Sequence, residues 1–149
     1  MTVTKLILFL CTGNYYRSRY AEELFNFHAR TEGLDWRAFS RGLGEYTPPE
    51  NVGPMSRHTL KALQKRGIVP EGAERYPLLC SPADFDLAQF VIALKEVEHR
   101  PLLAKKFPGW ENRASYWHVH DIDVANPVKA VAGMDRLVRD LVKNIKARS

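Results

Sequence analysis

The chain has 149 residues and a mass of 17.1 kDa, which suits one domain with a substantial core and leaves no room for a second of similar size. Hydrophobic residues at 45% and charged residues at 26% exclude a disordered or fibrous protein, and no apolar run approaches the roughly 20 residues needed to span a bilayer. The 22 Lys and Arg against 17 Asp and Glu give a formal charge of +5, but these cations are scattered and follow no nucleic-acid-binding spacing, so they read as solvated surface.

Taken in chain order, residues 5–10 predict a buried strand. Its apolar run is too short for a signal sequence and no small-residue cleavage site follows. Cys11-Thr12-Gly13-Asn14 is turn-prone, and Ala21, Leu24, Phe25 and His28 then share one face of a helix closing before Gly33. Residues 36–40 form a second strand, and Gly42, Gly44, Pro48, Pro49 and Gly53 mark a long loop. Ser56 is a good N-cap for a helix through Arg66, with Leu60 and Leu63 inward and Gly67 as the stop. Residues 90–94 are the third strand, 96–104 a helix ending before Pro108, and 116–119 a short fourth strand. After Asn126-Pro127 a last helix carries Val131, Met134, Val138, Leu141 and Ile145 on one stripe. This alternation predicts a single α/β domain over residues 1–149, in three layers: a four-stranded parallel sheet with helices on both faces. Ligands of such sheets bind beyond the carboxyl ends of the strands.

Cys11-Thr12-Gly13-Asn14-Tyr15-Tyr16-Arg17-Ser18 leaves the first strand at that end and opens a helix. Successive backbone N–H groups in such a loop form an anion-binding concavity, reinforced by the helix N-terminus. Gly13 and Asn14 are the residues most tolerant of the backbone conformations such a loop requires. Arg17 supplies a planar fork for two phosphate oxygens, and the same positive field favours a thiolate at Cys11. A thiolate, an oxyanion cradle and a two-pronged arginine make a covalent phosphoryl-transfer site. The other cysteine, Cys80, completes neither a disulfide framework nor a four-cysteine metal site, and such sparse cysteine usage favours a reducing, cytoplasmic setting.

The pattern of an apolar strand followed by C-x-G-N-x-x-R-S resembles the low-molecular-weight protein tyrosine phosphatase family. The likeness runs along most of the chain. Phe39-Ser40-Arg41-Gly42 is similar to the segment after that family's second strand, Met55-Ser56 through Gly67-Ile68 to its second helix, and Ala93-Leu94 with His99 to the stretch after its third strand. The resemblance implies that Cys11 attacks phosphorus, Arg17 binds the equatorial oxygens, Ser18 stabilises the thiolate and Asn14 fixes the loop, with Ser40 supporting Asn14. Thr12, Gly13, Tyr15 and Tyr16 complete the substrate-binding loop, and Tyr46 matches a position that often packs on the substrate ring. The family also carries an aspartate that serves as proton donor and then as base. Counting from Trp117 places this role on Asp121, but Ile122 stands where proline is usual, so Asp123 remains a competitor. Tyr16, Arg19 and Gly72 depart from the family's common residues.

His118 and His120 alternate near two aspartates without a clear third ligand, so no metal or other cofactor is expected. The leading reading is hydrolysis of phosphate monoesters, foremost protein phosphotyrosine, by a protein tyrosine phosphatase. Its expected partner is a phosphorylated protein or a small phosphate ester, with no nucleic acid or membrane involved, and the chain acts as a monomer or weak dimer. Two alternatives stand beside it. One is an arsenate reductase, disfavoured because no cysteine falls at residues 94–101; the other is a phosphate- or phosphopeptide-binding module without turnover.

Overall fold

Strand β1 (Lys5–Cys11) is apolar at successive positions rather than at alternate ones, the pattern of a strand covered on both faces. The computed structural model describes residues 3–44, 51–119 and 127–148. There β1 sits inside a parallel sheet, flanked by β2 (Trp36–Gly42) and β3 (Phe90–Ala93), with β4 (Ser115–Tyr116) beyond β3. The strand order is β2-β1-β3-β4. Parallel neighbours need crossovers. Helix α1 (Arg17–Thr31) links β1 to β2; α2 (Arg57–Lys65) and α3 (Pro82–Leu87) lie between β2 and β3. Helix α4 (Glu96–Lys106) and a 3-10 turn at Trp110–Asn112 precede β4, and α5 (Pro127–Arg148) ends the chain's described part. This is the expected α/β arrangement.

The pleat sorts side chains between two cores. Ile7, Phe9 and Cys11 face a layer containing Tyr20, Leu24 and Phe25 of α1, Leu63 of α2, and Met134 and Val138 of α5. Leu8 and Leu10 face the other way, with Phe85 of α3 and Leu103 of α4. Across the first layer, the Tyr20 hydroxyl donates to Asp135 at 2.7 Å, and Arg66 donates to the same carboxylate at 2.9 Å, joining α1, α2 and α5. Of the stripe expected on α5, Val131, Met134, Val138 and Ile145 are buried and Leu141 is partly so.

Several boundaries differ from the expectation. Helix α3 was not anticipated, although Ser81-Pro82-Ala83-Asp84 carries its start signal: the Ser81 backbone N–H donates to the Asp84 carboxylate at 2.8 Å. Strand β4 covers only Ser115–Tyr116, because the chain beyond turns across the end of β3. There His118 bridges Lys95 in antiparallel sense and the Val119 N–H donates to the Leu94 carbonyl at 2.7 Å. Strand β1 runs one residue further than expected, to Cys11, and β2 two further, to Gly42, which brings both to the loop that follows.

Ser56 caps α2 as expected, its side chain accepting from the His58 N–H at 3.2 Å, while its own backbone N–H donates to the Tyr15 carbonyl at 3.0 Å. Replacing Ser56 by Ala should therefore lower stability by about 1 kcal/mol, and Ser56→Asp should retain most of it. Urea unfolding of the two variants beside wild type measures this; an unchanged midpoint for Ser56→Ala would show that the cap contributes nothing.

Candidate active site

Residues 11–18 leave the carboxyl end of β1 and enter α1. The loop is pinned at its start to the residues just after β2, where Leu43 N–H donates to the Cys11 carbonyl and Gly44 N–H to the Thr12 carbonyl, each at 2.8 Å. A Cβ at either Gly42 or Gly44 would stand 2.9 Å from the Thr12 oxygen, so these two positions require glycine for a close backbone approach. Helix α1 then begins with neither a capping side chain at Tyr16 nor an acidic residue in its first turn. Its positive end is thus left to the loop.

Asn14 is the only non-glycine residue with positive φ among the described residues, at φ 50°. Asparagine tolerates this left-handed conformation, and here its side chain also secures it. The amide nitrogen donates to Ser18 Oγ at 2.8 Å and to Ser40 Oγ at 2.9 Å; the amide oxygen accepts from Arg75 at 3.1 Å and from the Leu78 N–H at 3.0 Å. Because Ser18 Oγ accepts from Asn14, its own proton is available for Cys11 Sγ, which lies 2.9 Å away. The Asn14 N–H reaches the same sulfur at 3.2 Å. Two donors converge on a buried sulfur, an arrangement that stabilises negative charge there.

The support beneath the loop is built from charges. Ser40 Oγ donates to Glu22 at 2.6 Å, and Arg75 reaches both Glu22 and Ser40, at 3.3 and 3.2 Å. Burial pushes the Glu22 carboxyl above its ordinary range, against the opposing pull of Ser40 and Arg75. Arg19 is fully buried and its guanidinium donates to four carbonyls, those of Asn14, Pro54, Gly72 and Arg75, at 2.7 to 3.3 Å. Burial, and then Arg75, lower its pKa to about 10, which leaves it a cation at neutral pH. Glu23 answers from α1 by accepting the N–H groups of Glu71 and Gly72 at 2.9 and 3.0 Å. The departures at Arg19 and Gly72 therefore belong to one network that holds residues 71–78 against the loop.

Arg17 is 3% exposed, placed at the first residue of α1 beside the loop. Its guanidinium donates to Glu98 of α4 and to the Val119 carbonyl. Thr12, Gly13 and Tyr15 are partly exposed, and the Tyr15 hydroxyl donates to the Val52 carbonyl at 2.5 Å, tying the loop to the segment before α2. Tyr16, expected to complete the substrate-binding loop, has a side chain that is 6% exposed and lies in the core with Tyr20 and Leu63. Only its backbone belongs to the loop. Tyr46, His120, Asp121 and Asp123 lie outside the described residues. Sequence reasoning did not single out Arg75 or Glu98 and read Arg19 only as a departure. Two acids in the first turn of α4 suit the helix dipole, so nothing local marked Glu98 as a partner of Arg17.

Cys80 lies on the other side of the sheet, against the core that contains Leu8 and Leu43, whereas Cys11 belongs to the opposite core. Burial, followed by the Asp84 carboxylate, pushes its thiol up to about 12.

A family model described as low molecular weight phosphotyrosine protein phosphatase matches residues 6–147. Among solved structures, the chain is similar to a low molecular weight protein tyrosine phosphatase from T. tengcongensis, with 26% identity and a TM-score of 0.77 over 94% of this chain and 99% of that one. It shares the fold of YfkJ from Bacillus subtilis, at 23% identity and a TM-score of 0.82, covering 99% and 98% of the two chains. The same holds for YwlE, described as an arginine phosphatase, in a mutant with a phosphorylated active site serine (24% identity, TM-score 0.77, 95% of each chain). No curated protein sequence matches.

The two thiols should differ sharply in reactivity. Iodoacetate at neutral pH should alkylate Cys11 first, with inorganic phosphate protecting it, while Cys80 should react appreciably only as pH climbs toward about 12. Mass spectrometry of the labelled peptides reads this out; faster labelling of Cys80, unaffected by phosphate, would refute the assignment.

Proposed function

The chain belongs to the low molecular weight phosphotyrosine protein phosphatase family, and from that premise we propose that it hydrolyses phosphate monoesters, foremost protein phosphotyrosine, through a cysteinyl-phosphate intermediate. The observation that carries the reading is the pair of donors, Ser18 Oγ at 2.9 Å and Asn14 N–H at 3.2 Å, aimed at Cys11 Sγ in a loop opening on a helix N-terminus. The Cys11 thiolate attacks phosphorus, the S–P bond forms as the P–O bond to the leaving group breaks, and Arg17 binds the equatorial oxygens. Asp121 gives its proton to the departing oxygen, then takes one from the water that cleaves the S–P bond. Phosphate leaves and the thiolate is restored. Tyr15, partly exposed in the loop that starts at Cys11, offers a ring that favours an aromatic ester.

The arsenate reductase alternative needs a relay of thiols near Cys11. Cys80 stands across the sheet with a thiol pushed up to about 12, which argues against that role. The binding-module alternative is separated by turnover itself.

Two sets of variants test the mechanism. Cys11→Ser should abolish hydrolysis of p-nitrophenyl phosphate yet still bind vanadate or phosphate. Arg17→Lys should lose about a hundredfold or more in kcat/KM, because an ammonium cannot make the two-pronged contact. Near-normal turnover by Cys11→Ser would sink the covalent route. Comparing a phosphotyrosine peptide with a phosphoarginine peptide decides the substrate class: faster turnover of the second would replace phosphotyrosine.

For the acid, Asp121→Asn should slow hydrolysis most for phenyl phosphates with basic leaving groups, while Asp123→Asn should keep the wild-type dependence. The reverse pattern would transfer the role to Asp123. If neither variant changes the dependence, the chain has no dedicated acid.

A further inference from the structure

Arg17 meets a carboxylate that the proposed reaction does not use. Glu98 Oε2 lies 2.7 Å from Nη2 and Glu98 Oε1 3.3 Å from Nη1, a two-pronged contact along the end of the guanidinium. Nη1 also donates to the Val119 carbonyl at 3.2 Å. The Glu98 side chain is itself held. The Thr12 hydroxyl donates to Oε2, and His99 Nε2 lies 3.1 Å from the same oxygen. The tautomer of His99 follows from its other nitrogen: Nδ1 accepts the Lys95 N–H at 3.0 Å, so in the neutral ring Nε2 carries the proton and donates. His99 is fully buried at the start of α4, which fixes that donor in place. Burial alone would raise the Glu98 carboxyl, but the bonds from His99, Arg17 and Thr12 outweigh it and hold the group well below the usual carboxylate range. The carboxylate therefore stays charged at neutral pH.

A guanidinium can grip an oxyanion along its Nη1–Nη2 edge or along its Nε–Nη2 edge. Glu98 occupies the first. A phosphate over Cys11 must then either use the second edge or expel a carboxylate tied to three groups. We infer that Glu98 is a positioning residue for phosphate binding: by holding the Nη1–Nη2 edge it sets the Nε–Nη2 edge of Arg17 toward the phosphate on Cys11. The inference rests on the phosphatase reading above. Its physical effect is preorganisation. The long arginine side chain is oriented before substrate arrives, so its rotamer freedom is not lost at the moment of binding, and the fork is aimed where charge gathers in the transition state. Thr12 belongs to both parts, since it follows the nucleophile and donates to the carboxylate that holds the arginine.

Glu98→Gln keeps the shape and removes the charge, so it isolates the ionic grip. With p-nitrophenyl phosphate the variant should lose about tenfold or more in kcat/KM, and competitive inhibition by vanadate should weaken by a similar factor. Inorganic phosphate should be affected less, because it resembles the transition state less. Glu98→Asp, which keeps the charge one methylene short, should recover part of the loss. Thr12→Val, which removes one donor to the carboxylate, should move the same parameters in the same direction by a smaller amount. Should Glu98→Gln fail to fold, Glu98→Asp and Thr12→Val carry the test. A folded Glu98→Gln with wild-type kcat/KM and vanadate inhibition overturns the inference. So does a variant with lower KM and tighter phosphate binding, which would make Glu98 an internal competitor for Arg17. Wild-type protein separates the two levels of failure: if it neither hydrolyses the ester nor binds vanadate, the phosphatase reading falls and this inference with it. An active wild type with an unaltered Glu98→Gln removes only the role of Glu98.

Discussion

The left-handed turn at Asn14 is the constraint on which the site depends. One side chain receives or donates four hydrogen bonds, and these reach Ser18 in α1, Ser40 in β2, Arg75 and the backbone of Leu78. They hold a backbone conformation that costs energy for any residue with a Cβ. They also orient the Ser18 hydroxyl, because an oxygen that accepts from Asn14 can turn its proton to the Cys11 sulfur. An apolar residue of similar size at position 14 would lose both functions. The amide satisfies its partners on both ends, which is how a buried polar side chain avoids the cost of desolvation.

Around that turn the protein gathers several buried and half-buried charges. Arg19, Arg75, Glu22 and Glu23 form a buried or half-buried cluster on one side of the loop, and Arg17 with Glu98 forms another. Buried ion pairs contribute little net stability, because desolvation offsets much of their attraction. What they supply is position. Arg19 reaches four carbonyls from separate stretches of chain with one rigid planar group, a role a shorter or more flexible cation could not fill. The result is a loop braced from beneath by cations, beside a helix whose positive end is left uncapped by side chains.

The sheet explains why these groups can meet. β1 ends at Cys11 and β2 at Gly42, in register, so the nucleophile loop and the glycines that admit it arrive together. β3 ends one position away and hands its chain directly to α4, which carries Glu98 and His99 to the same edge. The turn of the chain after β4 then brings the Val119 carbonyl against Arg17. All of these are carboxyl ends of parallel strands, where the fold itself leaves a crevice.

Much of this was legible in the sequence. The alternation of strands and helices, the cap at Ser56, and the loop from Cys11 to Ser18 depend on residues within a few positions of one another, so short-range spacing encodes them. The four-stranded parallel sheet and the junction at Cys11 follow from that alternation, whereas the strand order β2-β1-β3-β4 belongs to the tertiary structure. Other features came only from tertiary structure. Tyr16 reads as a loop residue, yet its ring turns into the core because α1 starts one residue later and faces α2. Arg75 and Glu98 lie 61 and 81 residues from the side chains they meet at Asn14 and Arg17, and an isolated arginine or glutamate looks like ordinary surface in one dimension. Cys80 was separated from Cys11 by the sheet between the two cores. A chain's local pattern sets which backbone conformations are favourable, whereas the pairing of charges depends on which segments the sheet brings to one edge.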